Sequence, residues 1–279
     1  MIRANEAGAG TPTLRGRLGE HFDRWLAGAA ARYEPPLSTS QVGRGIRALS
    51  TLYVERRNEV DLTLRARDGL AKRAALASYF APLHFLTTWH GLQEQGARLE
   101  QVSRILDLGC GTGATGAAAA LACEGRPPLL GVDVSGWALS EARHTFRAFR
   151  LRGRTLRRRL PEGLPQLRPG DLVVLGWALN ELAGPAREQL LAQLEKQAPR
   201  VGVLFIEPLA TRVAPWWPEA SRRFDPDGAG TRLLRLRRER PDRVAALDAA
   251  SGLDHRVLGA RLCLVPPQPT QGSEFRIDT

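Results

Sequence analysis

The chain has 279 residues, 43% hydrophobic and 25% charged, which excludes wholesale disorder and a core too small to stand without disulfides. Basic residues outnumber acidic ones 40 to 29, a net charge of +11, and all the basic residues but Lys72 and Lys196 are arginine. That balance favours anionic partners such as nucleic acid or an acidic membrane surface, though codon bias alone gives the same composition, and charge says nothing about fold.

Residues 1–13 are rich in Gly, Ala and Thr and read as a flexible tail. From Leu14 to about residue 98 the pattern is helical. Val42, Ile46, Leu49 and Tyr53 recur at spacings of 4, 3 and 4, which aligns them on one helix face. Ser38 is placed to cap that helix, and Pro35-Pro36 block its backward extension. A second apolar stretch, Leu70 to Leu92, contains Pro82, which divides or kinks it. From residue 99 strands alternate with helices: a strand over 102–107, a helix to Ala122, a strand over 129–132, a helix over 138–151 and a weak strand over 154–160. Then come a strand over 171–176, a helix over 185–197 and a strand over 201–206. Helices near 218–224 and 242–250 follow, with terminal strands near 256–265 and 274–277. The alternation implies an α/β domain, 99–279, around a parallel sheet with right-handed crossovers, preceded by a helical N-terminal subdomain, 14–98.

The strongest local signal is Ile105-Leu-Asp-Leu-Gly-Cys-Gly-Thr-Gly113. Its glycines let the backbone turn tightly and approach a ligand, and the following helix aims its N-terminal N–H groups into the turn. Asp133 ends the next strand, 26 positions after Asp107, where a carboxylate can accept both hydroxyls of a ribose. Gly111, Gly113 and Gly116 also fit the G-x-G-x-x-G string of dinucleotide enzymes, so two nucleotide-type ligands compete. No Gly-Lys-Ser/Thr follows, which excludes a P-loop.

Asp107-Leu-Gly-Cys-Gly-Thr-Gly113, with strand, helix and second-strand acid in order, resembles motif I of the class I S-adenosylmethionine (SAM)-dependent methyltransferases. The resemblance covers residues 101–206 and implies a Rossmann-like sheet with helices on both faces and SAM as cofactor, S-adenosylhomocysteine being the product. It implies that Gly109, Cys110 and Gly111 line the methionine portion through their backbones, and that Gly113 belongs to the cofactor-binding loop. Asp107 then holds the loop and the ligand's amino group, Asp133 binds the ribose hydroxyls, and Glu162 is the nearest candidate for the adenine amine. Glu162 reads equally as a solvated loop charge.

The acceptor of such a transfer belongs beyond the fourth and fifth strands, where the residues are Gly176-Trp-Ala-Leu-Asn-Glu181 and Glu207-Pro-Leu. Asn180 and Glu181 are candidates for positioning the acceptor or contacting the cofactor, or for capping the next helix. Glu207 is a candidate general base or orienting acid, or an arginine-paired structural carboxylate. Trp177 is placed to pack on the adenine or the acceptor, or in the core, and Trp216-Trp217 to roof the acceptor pocket or plug the core. His84 and His90, six apart, read as structural.

The three cysteines, Cys110, Cys123 and Cys263, form no CxxC pair, so no disulfide framework, zinc site or iron–sulfur cluster is expected. The start lacks a signal-peptide core, and the longest apolar run, near Ala117–Cys123, is far below the ~18–20 residues of a membrane span. These features predict a cytoplasmic protein without a membrane partner. Eight arginines and no acid lie between Arg143 and Arg159, and six arginines lie between Arg232 and Arg243. Such runs track phosphates or form solvated faces.

Leu49-Ser-Thr-Leu-Tyr53, Arg56-Arg57, Leu179-Asn-Glu-Leu182 and Ile206-Glu-Pro208 together resemble the ribosomal small-subunit assembly methyltransferase-like family. The mitochondrial members' iron–sulfur cysteine cluster has no counterpart in three scattered cysteines. The resemblance implies methyl transfer to rRNA or another component of the ribosomal small subunit. A small-molecule methyltransferase with a helical lid and a non-catalytic SAM-binding assembly factor are the alternatives.

Overall fold

The computed structural model describes residues 14–55, 68–96, 99–254 and 256–268. The expected tail at 1–13, Arg56-Arg57 and the strand near 274–277 lie outside them.

The chain opens with α1 (Gly16–Ala31) and α2 (Thr39–Glu55). Ser38 and Gln41 form a reciprocal cap at the start of α2: Gln41 N–H donates to Ser38 Oγ at 3.3 Å, and Ser38 N–H donates to Gln41 Oε1 at 2.7 Å. Val42, Ile46 and Leu49 are fully buried, as their spacing predicts. The apolar stretch after Gly69 is α3 (Leu70–Ala75), a π-helical turn (Leu76–Phe80) and α4 (Ala81–Glu94). Pro82 stands in the first turn of α4, where its missing N–H costs no helical bond. The widened π turn before it absorbs the misfit, so the chain continues in one direction.

The seven strands are β1 (Arg104–Leu108), β2 (Leu129–Asp133), β3 (Gly153–Arg157), β4 (Asp171–Gly176), β5 (Gly202–Glu207), β6 (Thr231–Arg237) and β7 (Val257–Val265), in the order β3-β2-β1-β4-β5-β7-β6. β3 through β5 pair in parallel, and β7 runs antiparallel between β5 and β6. β6 has no counterpart in the sequence reading, where Arg232–Arg237 register as charge rather than as a strand. Its alternation is plain once seen, with Leu234 and Leu236 buried and Arg235 and Arg237 exposed.

The crossovers are α5 (Ala114–Ala122), α6 (Gly136–Ala148), α7 (Gly184–Glu195), α8 (Trp217–Phe224) and α9 (Asp242–Ser251). Central strands are buried on both faces, so neighbouring residues serve different cores. Ile105, Leu172, Val174, Leu204 and Ile206 pack with α1 to α6 and α9, while Leu106, Val173, Leu175, Val203 and Phe205 pack with α7 and α8. The N-terminal helices therefore form a layer on one face of the sheet. Phe22, Trp25, Phe85 and Phe149 stack there, with ring centroids 4.7–5.8 Å apart.

Candidate functional site

Strand order reverses between β2 and β4 on either side of β1, which opens a crevice at the carboxyl ends of these strands. The glycine loop leaves β1 there. Gly111 (φ +51°) and Gly113 (φ +74°) are left-handed, and a Cβ on Gly113 would stand 2.6 Å from the Phe146 ring. That turn lets Gly111 N–H donate to Asp133 Oδ2 at 3.0 Å, while Ser135 N–H donates to Oδ1 at 2.8 Å. The second-strand acid thus ties the loop to the head of α6 before any ligand arrives, with lone pairs remaining for a diol.

Asp107 takes the loop-holding part of the role its motif implies. It is 1% exposed, lies beneath the loop and accepts the Gly116 N–H at 3.1 Å. Gly116 makes this possible, since a Cβ there would stand 2.5 Å from Asp107 Oδ2. Burial first, then the charge of Asp133, push the Asp107 carboxyl up to about 7 against the opposing pull of the Gly116 N–H.

A cavity of about 490 Å³ opens over the loop. Among the predicted site residues Gly109, Cys110, Gly111, Trp177, Asn180 and Glu181 form its wall, whereas Asp107, Gly113, Asp133, Glu162 and Glu207 stand behind or away from it. Glu162 is exposed in the turn after β3. The remaining wall comes from elsewhere in the chain, including Phe80, Leu83, His84 and Thr87 of the N-terminal helices, Trp137, Pro208, Ala210 and Val213, and Leu253, Val257, Leu258 and Gly259. His84, expected to be structural, stacks on Trp177 with centroids 3.7 Å apart and planes 6° apart. Trp177 follows β4 at φ +54°, an unusual conformation for a bulky residue, held by its N–H donating to Ile206 O at 2.7 Å.

The turn Leu179–Glu181 is a single 3₁₀ turn, and Ala183 occupies the cap position of α7, so neither Asn180 nor Glu181 caps that helix. Glu207 lies beneath this turn, fully buried, with Oε1 accepting the Leu179 N–H at 3.0 Å and Oε2 lacking a hydrogen-bond partner. Burial holds its carboxyl well above the ordinary carboxylate range. Glu207 therefore fits an orienting acid, not a base. Among the described residues no arginine forms an ion pair with it, which also sets aside the structural pairing. Trp217 is buried with Phe224 in the core on the other face, and Trp216 lies under Arg187 at 4.8 Å, so this pair plugs the core.

Two relays join helix α1 to the site, and neither was visible in sequence. Trp25 Nε1 donates to Thr145 Oγ1 at 3.0 Å, and Thr145 donates to the Thr112 carbonyl of the glycine loop at 2.7 Å. Trp137 Nε1, on the cavity wall, donates to the Tyr33 hydroxyl at 2.9 Å, which donates to Glu141 Oε1 at 2.9 Å. Arg32 pairs with the same Glu141. The partners lie 33 to 120 positions apart in the chain, so no local pattern announces them.

The residues fit a nucleoside-bearing cofactor: a left-handed glycine loop, a helix N-terminus behind it and an acid at the tip of β2. An all-parallel 3-2-1-4-5-6 sheet would suit a dinucleotide enzyme, but here an antiparallel β7 is inserted beside β5. Residues 105–198 match the family model described as a methyltransferase domain. No curated protein matches the chain. Solved structures similar to it include a TehB-like SAM-dependent methyltransferase from Corynebacterium glutamicum, at 17% identity over 65% of this chain and 88% of that one, TM-score 0.41. A SAM-dependent methyltransferase from Aquifex aeolicus is similar at 16% identity over 66% and 93%, TM-score 0.42. A ribosomal-protein methylase from Lactobacillus delbrueckii is similar at 14% identity over 66% and 78%, TM-score 0.39. No helix among the described residues is long and apolar enough to cross a membrane.

Proposed function

We propose that this class I SAM-dependent methyltransferase delivers its methyl group in line to an rRNA or ribosome-associated acceptor. The observation that carries the reading is the arginine row at the cofactor end of β3. Arg157 is the register partner of Asp133, Arg158 N–H donates to Asp133 O at 3.1 Å, and Arg159 follows, all three exposed. Cations beside a cofactor site attract a polyanionic acceptor and hold it there.

SAM supplies an activated methyl group on a sulfonium, so the protein's part is alignment and exclusion of water. In this reading Gly109, Cys110 and Gly111 hold the methionine portion through their backbones, and Asp133 takes the ribose hydroxyls. Gly113 starts α5 behind the loop, and Asp107 braces it from below. Trp177, backed by His84, presents a flat apolar face to the adenine or the acceptor. Asn180 and Glu181 orient the acceptor atom, and Glu181, the acid on the wall, is placed to receive a proton. Glu207, buried beneath them, holds their turn through the Leu179 N–H.

The helix-derived wall of Phe80, Leu83 and His84 favours a second reading, a small-molecule acceptor closed under a helical lid. Labelled methyl transfer to ribosomal subunits, with a metabolite extract in parallel, separates the two. Label in rRNA or a ribosomal protein is expected. Label only in a small molecule overturns the first reading, and tight SAM binding without transfer to either supports a non-catalytic assembly factor. Asp133→Ala removes the anchor of Gly111 and Ser135 together with the ribose acceptor. Calorimetry is expected to show SAM binding weakened by about 100-fold or more, equivalent to about 3 kcal/mol.

A further inference from the structure

The two arginine runs, about eighty positions apart in sequence, meet the same rim of the sheet. β3 and β6 point the same way, because β6 is antiparallel to β7 and β7 is antiparallel to β5. Their carboxyl ends therefore share the edge that holds the cavity. On one side Arg157 pairs in register with Asp133, the acid that anchors the glycine loop. On the other, Arg235 and Arg237 pair in register with Gly259 and Val257, both of which line the cavity. β3 and β6 are the outermost strands, so six strand spacings of ~4.8 Å separate the two groups by about 29 Å.

These arginines are not used up internally. Arg157 and Arg158 donate to backbone carbonyls, and among the described residues no carboxylate pairs with Arg157, Arg158, Arg159, Arg235 or Arg237. All five are exposed. The end of the second run differs: Arg238 pairs with Glu94, Arg240 with Asp248 and Arg243 with Glu34, which spends those charges on packing. The cavity between the two groups has the opposite character. Among the described residues no lysine or arginine lines it, Glu181 is the one acid on its wall, and His84 stacks on Trp177 there. A phosphate entering it would lose water and find no counter-charge from the described wall.

From this division we propose that the carboxyl rim is a track for a single-stranded nucleic-acid segment, with phosphates on both arginine groups and one unstacked base turned into the arginine-free cavity between them. The inference deepens the RNA reading above and rests on it. A 29 Å span corresponds to about eight or nine phosphates at the ~3.4 Å spacing of one duplex strand. A base within a duplex cannot reach the cavity without leaving its stack, so unpaired substrate is preferred.

The test is fluorescence anisotropy with the full chain and labelled oligoribonucleotides, a 12-mer, a 4-mer and a perfect 12-base-pair duplex, between 50 and 300 mM salt. The 12-mer is expected to bind more tightly than the other two. Replacing Arg157, Arg158 and Arg159 by alanine is expected to lower its log–log salt slope by about 2, and replacing Arg235 and Arg237 by about 1.4, at ~0.7 per phosphate contact. Replacing Lys196 and Arg200, exposed at the opposite rim, controls for net charge and is expected to leave the slope unchanged. A 12-mer that binds with a slope insensitive to either rim variant, or equally sensitive to the control, overturns the track while the RNA reading survives. A duplex that binds as tightly as the 12-mer overturns the unpaired-base element. Absence of binding by every oligoribonucleotide, with methyl label in a small molecule, removes the RNA reading and the track with it. A DNA 12-mer run in parallel shows whether the track distinguishes the sugar.

Discussion

Asp107→Asn isolates one charge that the fold forces into its interior. Burial keeps the Asp107 carboxyl protonated up to about pH 7, whereas its ordinary value is 3.8. Between those values the folded chain binds more protons than the unfolded chain. The contribution of Asp107 to stability therefore falls as pH rises through that window and levels off above about 7. A gap of roughly three units at ~1.4 kcal/mol each gives about 4 kcal/mol over the whole window, of which about 2 kcal/mol falls between pH 5 and 7. Asn has the same shape, never ionises and still offers an oxygen to the Gly116 N–H, so the substitution removes the slope and spares the packing. Glu207 is also raised by burial, but it adds the same pH dependence to both proteins and cancels in their difference. Urea unfolding of the two ligand-free proteins at pH 5, 6, 7 and 8 measures that difference directly. The variant is expected to gain on the parent by about 2 kcal/mol from pH 5 to 7 and by only about 0.3 kcal/mol more by pH 8. A difference constant to within about 0.5 kcal/mol across the series would refute the claim that Asp107 is buried with a raised pKa.

Tyr33→Phe breaks the link between the helical layer and Trp137, and at about 1 kcal/mol per hydrogen bond lost it is expected to weaken SAM binding roughly five-fold. Quenching of Trp137 fluorescence by the cofactor, read against Trp137→Phe, distinguishes that from general destabilisation, which would leave the spectrum of the folded fraction unchanged. Gly116→Ala sets two rules against each other. Alanine gains about 1 kcal/mol of helix propensity over glycine, while a Cβ 2.5 Å from Asp107 Oδ2 costs about 1–3 kcal/mol of overpacking. The prediction is net destabilisation in thermal unfolding, and a stabilised variant would show the α5–β1 contact to be looser than described. Glu207→Gln is expected to change kcat by less than about three-fold, because the side chain is fully buried beneath the 179–181 turn and off the cavity wall, whereas loss of a general base would cost about 100-fold or more.

The helix over Val42, Ile46 and Leu49, its Ser38 cap, the glycine loop and Asp133 were all legible in the sequence, because each depends on spacings of a few residues or on a single strand–turn–helix unit. β6 was not, since three exposed arginines in seven residues mask its period of two. For Glu207 the sequence leaves a base, an orienting acid and an ion-pair partner open, and only its depth beneath the 179–181 turn favours the orienting acid. For Asp107 the motif implies contact with both loop and ligand, and only the approach of α5 shows that it faces Gly116.

What the sequence determined by itself is therefore the glycine loop and the acid that anchors it, a local construction proposed as the cofactor half of the site. Tertiary structure alone decided the rest of the cavity. Its wall joins residue 80 to residue 259, His84 finds Trp177 across 93 positions, and the two arginine runs become the flanks of one rim because β6 lies beyond an antiparallel β7. Those neighbours are set by strand order and by which face a helix covers, quantities that depend on the packing of the whole chain and leave no trace in local spacing.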